Sequence, residues 1–177
     1  MFSNIILAAV LLGSSFTETP RTMYSARADG ASLKGLKSVY VSVQYDAPPQ
    51  PQYGLAGDDL RSEVELTLRA NGIGTLDGPE WKHAAGKPFL FVHIVGNPLD
   101  PDRRSASYFF TLNVELIQQV ELNRKPHIRC EGVTWSEATT IVLPYDKLRT
   151  IAVLLQNLTS DFSRAVEEAN PGSSARL

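Results

Sequence analysis

Apolar and polar residues alternate strictly over residues 39–45 (VYVSVQY). Val39, Val41, Val43 and Tyr45 share one parity; Tyr40, Ser42 and Gln44 share the other. A period of two with β-branched residues predicts a strand with one buried face. Residues 47–54 (APPQPQYG) break that pattern with three prolines and are expected to form an extended loop. Over residues 57–71 (GDDLRSEVELTLRAN) the period changes: Leu60, Val64 and Leu68 recur four apart, as on one face of a helix. Asp58 or Asp59 is placed to cap its first turn, and Gly72 suits a left-handed C-terminal stop. A brief extended piece over residues 73–76 then leads into a turn at Asp77, Gly78 and Pro79, and residues 83–87 (HAAGK) read as loop.

Residues 88–95 (PFLFVHIV) are apolar on both parities apart from His93, the signature of a central strand. Residues 97–104 (NPLDPDRR) form a polar connection. The longest strand signal spans residues 107–122: Tyr108, Phe110, Leu112, Val114, Leu116, Val120 and Leu122 share one parity, which Gln118 alone interrupts. Residues 123–126 (NRKP) make a tight hairpin turn into a last strand over 127–137. There Ile128 and Cys130 share one parity and Val133 and Trp135 the other, a slip that predicts a bulge at Gly132. A long helix follows Pro144 and Tyr145, with Asp146 as its expected cap. Its face is Leu148, Ile151, Leu155, Leu158, Phe162 and Val166. Asn170, Pro171 and Gly172 stop it. The predicted order is β-α-β-β-β-α: an α+β two-layer sandwich with a four-stranded mixed sheet and both helices on one face.

The N-terminus changes how much of the chain belongs to this unit. Residues 5–12 (IILAAVLL) are an unbroken apolar run followed by Gly13, Ser14 and Ser15. A membrane-spanning helix needs roughly 20 apolar residues, so the run fits the apolar core of a secretory signal peptide instead. Residues 1–30 are accordingly read as signal peptide and flexible leader, 31–170 as one domain, and 171–177 as a disordered tail. A periplasmic or secreted location follows. Lys and Arg total 17 against 19 Asp and Glu, a net charge of -2, so there is no electrostatic footprint for nucleic acid. The single cysteine, Cys130, excludes an internal disulfide and a cysteine-based zinc site; on a strand it reads as a buried inert thiol.

Catalytic and metal motifs are missing. His83, His93 and His127 have no metal-ligand spacing, and there is neither a nucleophile elbow nor a phosphate loop. His93 is expected to be partly buried and bonded to a neighbour, and His127 to be a solvated edge residue. No catalytic, cofactor-binding or metal-binding residue is assigned. What stands out is residues 88–95: one helix layer cannot cover both faces of such a strand. Its far face is therefore covered by loops such as residues 47–54, or it is a partner surface.

The element order, and residues 60–76 (LRSEVELTLRANGIGTL) in particular, resemble the LPS-assembly lipoproteins of the outer membrane and other small bacterial envelope lipoproteins. The shared feature is a helix ending in Leu-Arg-Ala-Asn-Gly that runs into a short apolar strand. The likeness implies the same α+β fold and a role in a cell-envelope assembly. The lipid-bearing cysteine of that family has no counterpart after the apolar run. The expected function is an exported, non-catalytic binding or scaffold module of the bacterial cell envelope. It would have an envelope protein as partner, lipid contact as a further option, no nucleic acid, no transmembrane segment and no cofactor. A small-ligand or lipid binder using the open sheet face is the alternative. An enzyme with a dispersed site built on His93 and Glu115 is a third reading.

Overall fold

The computed structural model describes residues 21–26, 30–47, 55–100 and 107–172. The signal-peptide reading, the proline loop after residue 47 and the tail after residue 172 lie outside them. The elements are β1 (Arg21–Ala26), β2 (Ser38–Asp46), α1 (Gly57–Ala70), β3 (Gly74–Leu76), α2 (Gly78–His83), β4 (Phe89–Pro98), β5 (Ser107–Leu122), β6 (Ile128–Pro144) and α3 (Thr150–Ala169). The α+β class holds, but the sheet is larger than the four strands expected. Five strands lie between residues 38 and 144, and β1 adds a sixth at the edge, in the order β1-β6-β5-β4-β2-β3. β2 runs parallel to both β3 and β4, and the remaining neighbours are antiparallel. Residues 21–26, assigned to the leader from sequence, form β1 because β6 continues to Pro144. Its outer edge pairs from Ser136 to Thr140.

The helix layer seals one face. Leu60, Val64 and Leu68 of α1 and Ile151, Leu155 and Phe162 of α3 are buried with Val39, Val41, Leu90, Val92, Leu112 and Val114 from the sheet. The Phe162 ring meets Trp135 of β6 edge to face, with centroids 5.0 Å apart. The two helices begin differently from the expectation. Asp58 and Asp59 lie inside the first turn of α1, where they complement its dipole without capping it; Ala56 occupies the cap. Asp146 falls in a 3-10 turn, Tyr145–Lys147, because β6 runs on to Pro144; α3 starts only after Arg149. Gly72 does adopt positive φ, 79°, and Ile73 N–H donates to Leu68 O, closing α1 as predicted.

The bulge between β5 and β6 lies two residues beyond Gly132. Leu116 pairs with Trp135 and Ile117 with Val133, leaving Thr134 unopposed. Its position is set by a hydrogen-bond cluster that also explains Gln118. Gln118 Nε2 donates to Thr134 Oγ1 at 2.8 Å and to Ser32 O at 2.9 Å, while Ser32 Oγ donates to Thr134 O. The interruption in the apolar parity is thus the side chain that ties the bulge to the 3-10 turn Ala31–Leu33. Asn170, just past α3, donates to Leu33 O and accepts from Gly35 N–H, fixing the same turn to the end of the helix.

Candidate functional site

Alternation along β4 sends Leu90, Val92 and Ile94 into the core and leaves Phe89, Phe91 and His93 on the opposite face, all partly exposed. Residues two apart on a strand share a face about 6.6 Å apart, so these rings stand in a row. Phe89 and Phe91 stack at 5.9 Å, and Phe91 and His93 at 5.8 Å, with interplanar angles of 18° and 26°. Tyr40, the register partner of Phe89 on β2, stacks on it at 5.8 Å. At the edge of the sheet the Arg61 guanidinium of α1 lies 5.5 Å from the Tyr40 centroid, a cation–π contact.

The row has a different neighbour at each end. At one end stands Trp81 of α2, 5.6 Å from Tyr40 and 6.1 Å from Phe89. From its sequence this segment reads as turn and loop. A capping box between Asp77 and Glu80, with Pro79 in the first turn, is the signal that marks it as helix. This one turn covers the end of the far face; the two long helices both lie on the other side. At the opposite end, His93 Nε2 lies 2.8 Å from Asp46 Oδ2, and Gln44 Nε2 donates to the same oxygen at 2.7 Å. These bonds, that of His93 first, hold the Asp46 carboxyl below the ordinary carboxylate range.

A lowered pKa in the folded chain means the contact stabilises above the ordinary carboxylate pKa and is lost as pH falls through the lowered one. Replacing His93 with Ala should therefore move the Asp46 titration up toward the ordinary range. Carboxyl-carbon NMR would follow it; an unmoved midpoint would show that His93 does not hold this carboxylate.

His93 is thus partly buried and bonded to a neighbour, as its sequence context suggested. Glu115 is the register partner of Phe91, one diagonal step from His93 on the same face, and the side chain bonded to His93 is Asp46 from β2. Asp46 ends its strand with no motif around it, so only the parallel register of β2 and β4 reveals the pairing. Among the described residues no group of three or more His, Cys, Asp or Glu could hold a metal ion. Cys130 is half-buried rather than buried, opposite Val120 where the β5–β6 hairpin projects past the helix layer. His127 is solvated and lies 3.0 Å from Glu121.

Beside Trp81 the far face opens into a cleft of about 120 Å³. Trp81, Phe89 and Ile117 form its apolar wall; Lys87, Gln119 and Glu131 are its polar margin. Gly86 O accepts from Gln119 N–H at 2.8 Å and so holds the loop carrying Lys87 against β5. Among the described residues, no helix is long and apolar enough to cross a membrane.

No family model and no curated protein matches the chain. Among solved structures it is similar to the PelC dodecamer from Paraburkholderia phytofirmans, at 19% identity and a TM-score of 0.45, over 84% of this chain and 96% of that one. It is also similar, more weakly, to rare lipoprotein B from Shewanella oneidensis, at 14% identity and a TM-score of 0.30, over 75% and 92% of the two chains.

Proposed function

We propose that the chain is an exported, non-catalytic binding or scaffold module of the bacterial cell envelope, with the sheet face opposite α1 and α3 as its contact surface. The observation that carries this reading is the asymmetry of β4: Leu90, Val92 and Ile94 are sealed under helices, while Phe89, Phe91 and His93 stay partly exposed. An aromatic row of this kind supplies large contact area with little side-chain entropy to lose on docking. The envelope assignment draws on the apolar N-terminal run and on the resemblance of residues 60–76. A role without catalysis fits a His93–Asp46 pair that has no nucleophile bonded to it among the described residues.

The test is site-specific photo-crosslinking in intact cells. A photoreactive residue at position 91 should give a discrete adduct with an envelope protein, and one at Leu66, exposed on the outer side of α1, should not. Recovery of the chain alone from both positions, in a cytosolic fraction, would overturn the proposal.

A further inference from the structure

We infer that the cleft beside Trp81 is a binding site for a small zwitterion, namely an α-amino acid with an apolar side chain. The cleft lies at the Trp81 end of the same sheet face as the proposed contact surface and shares Phe89 with it, but small-ligand binding there does not rest on the envelope reading. Two residues of opposite charge, Lys87 and Glu131, line this one cleft. They are not within ion-pair distance of each other, and neither has an ion-pair partner among the described residues. Opposite charges that share a cleft without bridging leave room for a ligand carrying both complements. Its carboxylate would meet Lys87 and its ammonium Glu131, each as a charge-assisted hydrogen bond.

One further observation bears on the cleft. Lys87 holds φ at 43°, a left-handed backbone that a residue other than glycine rarely adopts. Such strain persists where the surroundings enforce it, and ligand-binding loops are among the places it collects. Here Gly86, paired to Gln119, and Ala84, which accepts from Lys87 N–H at 3.1 Å, enforce it. The apolar wall of Trp81, Phe89 and Ile117 takes an aliphatic or aromatic side chain, and a cleft of about 120 Å³ limits the ligand to something small.

The experiment is an NMR titration of the full chain with L-leucine. The indole N–H resonance of Trp81 reports the site, and that of Trp135, buried in the core on the other face, is the internal control. A saturable shift of Trp81 with Trp135 unmoved is expected. Removing either charge from the ligand, with 4-methylpentanoate or 3-methylbutylamine, should weaken binding by about tenfold or more, the usual cost of one charge-assisted hydrogen bond. Lys87→Asn, which tolerates the left-handed backbone, and Glu131→Gln should each do the same while leaving the Trp135 resonance in place. No saturable shift would overturn the proposal. Equal binding of the three compounds, or unchanged binding by both variants, would overturn it too, showing an apolar cleft without charge recognition.

Discussion

Replacing Phe162 with Ala should destabilise the protein by about 3–5 kcal/mol, the range for removing a large aromatic side chain from a packed core. Phe162 is completely buried in α3, and its ring meets Trp135 edge to face. That contact fixes α3 to β6 beside the bulge, at the point where the hairpin leaves the helix layer. The loss combines the transfer of the ring, the cavity it leaves and the aromatic pair itself. Val153 on the same helix is 54% exposed, so Val153→Ala should stay within about 0.5 kcal/mol. Urea denaturation of the two variants measures the contrast. Equal midpoints would mean that α3 is not held through this ring.

Gly96→Ala is expected to cost about 3 kcal/mol, the upper part of the usual range for overpacking a core. A Cβ at position 96 would collide with Cε1 of Phe110, and would lie 2.7 Å from its Cδ1 and 2.8 Å from Ala47 Cβ. Gly96 and Phe110 are register partners on β4 and β5, and the ring of Phe110, itself 1% exposed, occupies the space a side chain would need. A double-mutant cycle with Phe110→Leu isolates this clash. Gly96→Ala should cost measurably less where the ring has been removed, and an additive result would place the penalty elsewhere.

Strict periodicity carried much of the fold. Alternation at residues 39–45 and 107–122 and the four-residue spacing of Leu60, Val64 and Leu68 describe local geometry that any core would exploit. These elements appear where the pattern puts them. What was missed depends on residues far apart in sequence. β1 exists because the edge of β6 is long enough to pair with it, and no pattern in residues 21–26 announces a partner at Ser136–Thr140. The bulge moved to Thr134 because Gln118 and Ser32, distant in the chain, bond there. α2 was legible in principle: Asp77 and Glu80 stand at capping-box spacing, but a six-residue helix has too few turns to show a period.

The candidate site divides in the same way. The residues on the far face of β4 follow from alternation alone, because side chains on a strand point to opposite sides in turn. So does the conclusion that one helix layer leaves that face open. The sequence by itself thus determined the α+β class, the amphipathic helices, the strand apolar on both faces at residues 88–95 and the absence of recognisable catalytic and metal motifs. Which groups meet across the face was decided only by the tertiary structure. The parallel register of β2 and β4 brings Asp46 to His93, and the loop at Gly86 brings Lys87 into the same cleft as Trp81 and Glu131. Strand register and loop docking are set by the summed packing of distant segments, so no local spacing encodes them.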